Sequence, residues 1–295
     1  MVGTNGSKFP AIRASTSTQH LPKLTRQQGE HLYKNISLVY NNLDTSFTSY
    51  PGTGTINRNA YIDAIDALSP GDAITVFTPD TTHLPIALYA VQKGIHVLIT
   101  KPATKTLSDH LVLQKAARKH NVLVYIEHHK RYDPVYWDAR AKAATLGDFN
   151  YFYSYMSQPK SQLQTFRAWA GRDSDISYYL NSHHVDICDV LVGQNGWRPK
   201  KVTASGSKGT AEELGCVEGT EDTITLMVEW INELPGKEGK VATGVYTASW
   251  TAPQKAGVHS NQYFHCIQTP PLQRERRSAR IPKLTPPPYR HGLQR

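Results

Sequence analysis

The stretch that decides the fold is Ala73–Asp133, AITVFTPDTTHLPIALYAVQKGIHVLITKPATKTLSDHLVLQKAARKHNVLVYIEHHKRYD. Three short runs in it are rich in β-branched residues and apolar enough for strands buried on both faces: Ile74–Phe77, His96–Ile99 and Val122–Ile126. Between them, Leu84–Lys93 and Asp109–Lys119 place apolar residues at helical spacing. Strands and helices that alternate with short connections predict right-handed crossovers and a parallel sheet, the mark of an α/β fold.

Residues that favour helix ends flank both helical segments. Thr82 and Ser108 stand where N-caps are expected, and Gly94 and Asn121 stand where the helices should stop. The sequence therefore predicts that each helix begins after a hydroxyl residue and ends at a residue that tolerates a left-handed backbone.

Polar and reactive residues follow the carboxyl end of each predicted strand. They are Thr78, Pro79, Asp80 and His83 after the first strand, Thr100, Lys101 and Pro102 after the second, and Glu127, His128, His129, Lys130 and Arg131 after the third. In a parallel sheet the carboxyl ends of the strands meet at one edge, and ligands bind there. We therefore expect the active site at this edge.

Several of these runs resemble a known oxidoreductase family, the one named for glucose-fructose oxidoreductase and inositol dehydrogenase. The matching motifs are TPDTTHLPIA, HVLITKP and EHHKRYDP. Within that family, YYLNSHHVD and YTASWTAPQKAGVHSNQYFH are most similar to fungal D-galacturonate reductases. The resemblance covers Met1–Arg13 and Glu30–His265, and it implies a dinucleotide-binding domain, a substrate domain and hydride transfer to or from a nicotinamide cofactor.

The sequence pattern changes near Asp133. A helix is predicted at Val135–Ala144, and Ser177–Val192 is the strong helical pattern of the second half. Longer, partly alternating runs predict strands at Phe149–Met156, Val202–Ser205, Thr223–Trp230 and Val241–Trp250. We predict a partial Rossmann-like domain at 1–134, an α+β substrate domain with an open, mostly antiparallel sheet at 135–265, and a tail at 266–295.

The start of the chain lacks the G-x-G-x-x-G turn whose backbone amides bind a dinucleotide pyrophosphate. In the resembled family, Met1–Arg13 corresponds to the end of the second strand and the helix after it, so the glycine loop is expected upstream of Met1. Ala14–Gly29 is polar and unperiodic, which predicts either a disordered surface loop or an intron translated in frame. Both predicted domains are therefore expected to be incomplete, and the chain is expected to bind the cofactor poorly.

The net charge of +9 lies mostly outside the predicted domains. The tail from Cys266 to Arg295 carries +6 and Ala14–Gly29 carries +2, which leaves +1 for the remaining chain. The tail is rich in proline and poor in periodic apolar residues, so we expect it to be disordered. Its charge alone would give only salt-sensitive, unspecific binding, and no specific nucleic-acid partner is predicted.

The sequence shows no apolar run of membrane-spanning length and no signal-peptide pattern at Met1. Its three cysteines follow no ligand or disulfide spacing. No membrane partner is predicted, and a reducing cytoplasm is the expected location. A homo-oligomer formed through the open sheet remains a further expectation.

Lys101 is the residue to which the resemblance assigns catalysis. It lies at a strand end before Pro102, where an ammonium can bond a substrate oxygen and give up its proton as hydride arrives. Thr100 replaces the family's usual Glu at the preceding position. His183 matches the second catalytic position of the family, but Tyr179 replaces the Asp usually found four residues earlier. The sequence thus predicts Lys101 as the proton donor and His183 as an orienting or relaying group.

Basic residues near the predicted edge are candidates for holding substrate. Lys130 and Arg131 could hold a carboxylate by charge or by paired hydrogen bonds, although a solvated basic surface explains them equally well. The predicted substrate-binding set is Lys101, His129, Lys130, Arg131, Tyr179, His183 and His184. The adjacent histidines lack the spacing of metal ligands, so no metal is predicted.

The predicted cofactor is NADP, with NAD as the weaker choice. An acidic residue at the end of the second strand would hold the ribose 2′-hydroxyl of NAD, whereas small polar or basic residues admit the 2′-phosphate of NADP. Thr4, Asn5, Ser7 and Lys8 are of the second kind. The remaining predicted cofactor-binding residues are Thr78, Pro79, His83, Lys101 and Pro102.

These assignments predict an NADP-dependent reductase that acts on the aldehyde of a small-molecule sugar acid, D-galacturonate, and yields L-galactonate. Two alternatives stay open: a catalytically silent relative that senses dinucleotide, and a dehydrogenase of a neutral sugar or polyol. The presence of Lys101, Pro102 and His183 argues against the silent relative.

Overall fold

The computed structural model describes residues 13–14, 49–50, 57–143, 145–253 and 262–269. The chain divides into two compact units. The first unit consists of Met1–His129, Leu163–Ser182 and Lys208–Glu221, and the second of Lys130–Gln162, His183–Ser207 and Asp222–Arg295. The chain leaves the first unit after His129 and returns to it twice, whereas the domain boundary at 134/135 stays a prediction.

The first unit contains the predicted parallel sheet. Two short strands, β1 (Arg13–Ala14) and β2 (Ser49–Tyr50), pair in parallel with each other. The main sheet has three parallel strands in chain order: β3 (Ala73–Val76), β4 (His96–Thr100) and β5 (Val124–Glu127). The helices that accompany these strands are α1 (Ala60–Asp66), α2 (His83–Gln92) and α3 (Leu107–His120). Each predicted strand and helix of Ala73–Asp133 is thus confirmed with small shifts at its ends.

The core of this unit follows from the register of the sheet. Ile74 lies opposite Val97, and Val76 lies opposite Ile99, so one face of the sheet is a continuous apolar surface. These four side chains are buried in one cluster with apolar residues of α2, including Val91. Burying a side chain of this size contributes about 1.5–3 kcal/mol, so the β-branched runs favour this sheet strongly.

The helix ends follow the expected chemistry in part. Thr82 precedes α2 as predicted, but its hydroxyl donates to Thr78 and to the carbonyl of Pro79 and caps no helix N–H. Asn121 ends α3 with a left-handed backbone, φ 52°, as predicted. The N-cap of α3 is Thr106 and not Ser108, because the hydroxyl of Thr106 accepts the backbone N–H of Asp109 at 3.1 Å. Thr106 has the extended backbone that an N-cap requires, whereas Ser108 already lies in the first turn of the helix.

The second unit is built on a five-stranded sheet with the order β10-β6-β9-β8-β7. Its strands are β6 (Asp148–Pro159), β7 (Trp197–Lys208), β8 (Glu221–Asn232), β9 (Val241–Ala252) and β10 (Gln262–Thr269). β8 and β10 run antiparallel to their partners β9 and β6, but β6 and β9 pair in parallel. The predicted second sheet is therefore confirmed. Two of its described pairings are antiparallel, and the pairing of β6 with β9 makes it a mixed sheet.

Helices of the second half fall in both units. α4 (Pro134–Ala143) and α6 (Ser182–Val192) carry buried residues of the second unit, where Trp230 donates its ring N–H to the hydroxyl of Tyr246 at 2.9 Å. The predicted helix Ser177–Val192 begins as a π-helical turn, Ser177–Asn181. This turn belongs to the first unit, as does the short helix α7 (Thr210–Glu213). The short helix α5 (Ser161–Phe166) begins in the second unit and ends in the first.

The predicted disordered segments are only partly within the described residues. β10 passes through the predicted start of the tail and places Cys266 opposite Phe152, because Cys266 and Ile267 prolong a run that suits a strand. Ala14, the first residue of the predicted insert, pairs in β1. Residues 15–29 and 270–295 lie outside the described residues, as do the cofactor candidates Thr4, Asn5, Ser7 and Lys8. Among the helices that are described, none combines the length and apolarity needed to cross a membrane.

Candidate active site

Lys101 lies directly beyond the last residue of β4, where the sequence predicts the proton donor. Its peptide bond to Pro102 is cis, and its side chain is buried. Its Nζ donates a hydrogen bond to the backbone carbonyl of Tyr179 and lies 4.4 Å from the centre of the Tyr179 ring. A carbonyl oxygen and the face of an aromatic ring both attract a positive charge. The structure therefore holds a lysine ammonium at the carboxyl edge of the sheet.

Tyr179 belongs to a cluster of three aromatic rings in the first unit. Its ring centre lies 5.0 Å from that of Phe166 and 6.0 Å from that of Trp169, and these two lie 4.7 Å apart. Burial raises the pKa of the Tyr179 hydroxyl, so the phenol stays neutral. The ring of Tyr179 is therefore a packed member of this aromatic cluster.

His83 links the residues that follow β3 and β4. The ring is fully buried, with Nδ1 2.8 Å from the carbonyl oxygen of Pro102 and Nε2 2.8 Å from that of Thr78. A neutral imidazole can donate to only one of these oxygens, and the protonated ring donates to both. Of the predicted cofactor residues, Thr78, His83, Lys101 and Pro102 are thus brought together at one edge of the sheet.

Asp80 also lies at this edge, although it belongs to neither the predicted cofactor-binding set nor the predicted substrate-binding set. Its carboxylate accepts a hydrogen bond from the hydroxyl of Ser174, and the hydroxyl of Thr81 donates to Asp173 at 2.9 Å. Burial raises the pKa of Asp80, while Ser174 and the charges of nearby basic groups, including Lys101, lower it. Its position shortly after the first predicted strand, beside Thr78 and Pro79, was the available signal.

Arg131 and Asp186 form an ion pair in the second unit, in which the carboxylate is buried and the guanidinium is partly exposed. The Nε of Arg131 lies 3.0 and 2.9 Å from the two carboxylate oxygens, and its Nη2 contacts Oδ1 as well. The Asp186 side chain is 8% exposed and that of Arg131 is 44% exposed. Arg131 lies in the 3₁₀ turn His129–Tyr132, so the pair fastens this turn to α6. The carboxylate that the guanidinium holds in the structure is one of the protein's own.

Lys130 and His184 are also buried in the second unit. Burial lowers the pKa of Lys130, which Asp133 partly restores, and its Nζ lies 5.4 Å from the centre of the Tyr136 ring. Burial, followed by the charge of Lys130, lowers the pKa of His184 to about 3. His184 is therefore neutral at physiological pH and serves as a polar member of the core.

The predicted substrate residues thus fall into three groups. Lys101 and Tyr179 are in contact in the first unit. Four residues belong to the second unit: Lys130, Arg131, His183 and His184. His129 is 56% exposed, and its Nδ1 lies 3.0 Å from an oxygen of Glu127. His183 is buried on α6, one residue before His184.

Because His184 is buried in its neutral form, we expect acid to lower the stability of the folded chain. Its pKa in the folded chain, about 3, lies below the ordinary value of 6.5, so protons bind the unfolded state in preference. Its contribution is complete above about pH 6.5 and is lost as the pH falls towards 3. We expect the urea midpoint, followed by tryptophan fluorescence, to fall less steeply below pH 6.5 in His184→Gln than in the wild type. His129→Gln is the exposed control, and equal slopes in His184→Gln and wild type would contradict the assignment.

Comparison with known proteins matches one part of the first unit to a family. Residues 9–128 match the GFO/IDH/MocA description, oxidoreductase family, NAD-binding Rossmann fold. An uncharacterized oxidoreductase of Escherichia coli, YdgJ, is 32% identical over 125 residues, which are 41% of this chain and 36% of that protein. The scyllo-inositol 2-dehydrogenase (NADP(+)) IolW of Bacillus subtilis is 28% identical over 137 residues, 45% of this chain and 37% of that protein.

A solved structure supports the same fold over more of the chain. The myo-inositol 2-dehydrogenase of Lactobacillus plantarum matches with a TM-score of 0.63 at 20% identity, over 84% of this chain and 65% of that one. The chain spans a little over a third of the curated relatives it matches, 36% and 37% of their lengths. The resemblance read from TPDTTHLPIA and HVLITKP is confirmed over residues 9–128, which match the GFO/IDH/MocA oxidoreductase family.

Proposed function

We propose that the protein is an NADP-dependent oxidoreductase that reduces the aldehyde carbon of D-galacturonate and yields L-galactonate. The observation that carries the proposal is the buried ammonium of Lys101 at the carboxyl edge of β4. An ammonium in that place can hydrogen-bond a carbonyl oxygen and give it a proton while hydride reaches the carbon. His183 is the proposed orienting or relaying group.

The nicotinamide cofactor supplies the hydride when it is bound. The edge formed after β3 and β4 suits the cofactor. The imidazole of His83 contacts the backbone carbonyls of both Thr78 and Pro102 and so fixes the distance between these two segments. Thr78, Pro79, His83, Lys101 and Pro102 would hold the cofactor at this edge. Thr4, Asn5, Ser7 and Lys8 are proposed for the 2′-phosphate because none of them is acidic. The NADP(+) in the name of the Bacillus subtilis relative agrees with this choice.

The sugar acid is the finer part of the proposal, and it depends mainly on Lys130. This side chain is a buried cation, and a carboxylate beside it would offset the cost of its burial. Arg131 has a suitable geometry for a carboxylate, but Asp186 already occupies it in the structure. A substrate carboxylate would have to share or displace Asp186. We therefore assign the larger share of carboxylate binding to Lys130.

A dehydrogenase of a neutral sugar or polyol is the second candidate. The ion pair of Arg131 and Asp186 favours it, since the pair balances its own charge and needs no substrate carboxylate. Lys101 would then accept the proton of a hydroxyl group as hydride leaves the carbon. The two inositol dehydrogenases described above act on ring polyols by name.

A substrate comparison distinguishes these candidates. Because the chain is expected to bind the cofactor weakly, NADPH is raised until the rate no longer increases. Under this condition we expect kcat/KM for D-galacturonate to exceed that for D-galactose by about 10-fold or more, because only the acid pairs with Lys130. Lys130→Met should reduce this preference chiefly by raising KM for the acid. Faster NADP⁺ reduction with myo-inositol would support the polyol dehydrogenase. NADPH binding without turnover of any of these compounds would support the silent relative.

The cofactor is tested in the same assay. We expect NADPH to give the higher kcat/KM when it is compared with NADH at equal concentrations of D-galacturonate. A preference for NADH would contradict the assignment of Thr4, Asn5, Ser7 and Lys8 to the 2′-phosphate.

A further inference from the structure

The π-helical turn Ser177–Asn181 faces the segment after β4 with two consecutive tyrosines. Lys101 Nζ lies 4.4 Å from the centre of the Tyr179 ring, and Lys105 Nζ lies 5.3 Å from that of Tyr178. The hydroxyl of Tyr178 also donates to the backbone carbonyl of Lys105 at 3.0 Å. One turn therefore holds the segment 101–105 at both of its ends.

The backbone of this turn also supplies acceptors. The carbonyl of Tyr179 accepts Lys101 Nζ, and the carbonyl of Tyr178 accepts the hydroxyl of Ser182 at 2.7 Å. Side chains that bond helix carbonyls compete with regular α-helical hydrogen bonding, and π-helical turns often occur at functional sites. The irregular turn thus presents both a carbonyl and a ring face of the same residue to Lys101.

We propose that Tyr179 is a positioning residue for Lys101. The ring and the backbone carbonyl of Tyr179 hold the ammonium at the edge of β4 and keep it charged where it must donate its proton. This inference rests on the proposed catalytic role of Lys101. In the resembled family an Asp usually stands at the position of Tyr179, so here a ring replaces a carboxylate beside the lysine.

Other charged groups act on Lys101 and are left in place when Tyr179 is changed. Asp80 interacts electrostatically with Lys101 and also with His83 and Lys105. Asp175 interacts with Lys105 in the same way. The carboxylate of Asp80 favours the ammonium form of Lys101, and positive charge nearby opposes it. A shift in the protonation of Lys101 that follows removal of the ring can therefore be attributed to Tyr179.

The ring makes a directional prediction. Removal of a cation–π contact destabilises the ammonium. The pH at which half of the Lys101 side chains are deprotonated should therefore fall by about 0.5–1 unit. Aldehyde reduction requires the ammonium, so the alkaline limb of kcat should move to lower pH by a similar amount. Alcohol oxidation requires the neutral amine, and its acid limb should move in the same direction. The sign of the shift is thus independent of the direction of the reaction.

The first experiment measures Lys101 without substrate or cofactor. The chain is labelled with 2,4-dinitrofluorobenzene across a pH series, and the modified Lys101 peptide is quantified by mass spectrometry. Tyr179→Leu should lower the midpoint of labelling by about 0.5–1 pH unit, and Tyr179→Phe should retain the wild-type midpoint because it keeps the ring. Tyr178→Leu is the matched control, in which Lys101 should label as in the wild type.

The second experiment measures kcat against pH for the same variants. An unchanged Lys101 midpoint in a folded Tyr179→Leu would overturn the proposal. If Tyr179→Leu does not fold, Tyr179→Met gives the same comparison with an unbranched side chain. A shifted labelling midpoint in a chain that turns over none of the sugars would uphold the positioning role and reject the proposed function. Turnover with unshifted labelling would do the reverse.

Discussion

Lys101→Met is expected to lower kcat for the reduction of D-galacturonate by about 10²–10⁴-fold, the usual contribution of a positioned proton donor. The methionine keeps most of the side-chain length over Tyr179 but cannot supply a proton. Because the ammonium acts mainly on charge that develops during hydride transfer, KM should change much less than kcat. The measurement is the loss of NADPH absorbance with cofactor and sugar in excess.

Lys105→Met is the matched control for this change. Lys105 also lies over a tyrosine ring, at 5.3 Å, but follows Lys101 by four residues and is assigned no contact with substrate. We expect its kcat to remain within about 2-fold of the wild type, as for surface changes away from a reacting group. Full activity in Lys101→Met would show that the proton comes from another group, and His183 would then be the first residue to test.

The second large effect is expected for Arg131→Met, which should lower the free energy of unfolding by about 2–3 kcal/mol. The change leaves the carboxylate of Asp186, 8% exposed, without its guanidinium. Removal of one partner of a fully buried pair costs about 3–5 kcal/mol, and the half-exposed guanidinium places this pair at or below the lower end. Urea unfolding followed by tryptophan fluorescence measures the loss.

Two further variants complete this test. Lys142→Met breaks the pair of Lys142 and Asp138, whose side chains are 60% and 61% exposed, and should cost under about 0.5 kcal/mol. Adding Asp186→Asn to Arg131→Met removes the stranded charge and should recover part of the lost stability. A loss in Arg131→Met no larger than that in Lys142→Met would contradict the structural role of the pair.

The same Arg131 variant decides its part in substrate recognition. If the guanidinium binds the sugar acid, KM should rise for D-galacturonate and barely change for D-galactose. If it acts by fastening the turn His129–Tyr132 to α6, both substrates should be affected alike. The structure motivates the second outcome, because the guanidinium of Arg131 already contacts both carboxylate oxygens of Asp186.

The parallel sheet could be predicted because its signals are local. Ile74–Phe77 and His96–Ile99 are continuous β-branched runs, and Asn121 marks a helix end by its own backbone preference. The pairing of β6 with β9 could not be predicted in the same way. Alternation along a strand determines which face is buried, but it leaves the neighbour and its direction open.

The candidate site was predictable as a set of residues but not as a set of contacts. Lys101 and Arg131 could be placed at strand ends, since those positions follow from the strand pattern. Their partners Tyr179 and Asp186 lie 78 and 55 positions further along the chain, where no local signal connects them. The resembled family usually has an Asp where this chain has Tyr179. The structure shows that the ring and the backbone carbonyl of Tyr179 contact Lys101 there.

The distance in sequence between Lys101 and Tyr179 also concerns synthesis on the ribosome. A polypeptide grows at about 5–20 residues per second, so the 78 positions between them correspond to about 4–16 s. During that interval β3, β4 and the start of α3 can emerge and pair while the lysine still lacks its carbonyl partner. The side chain of Lys101 can therefore gain its carbonyl partner only after the strand that carries it has been synthesised.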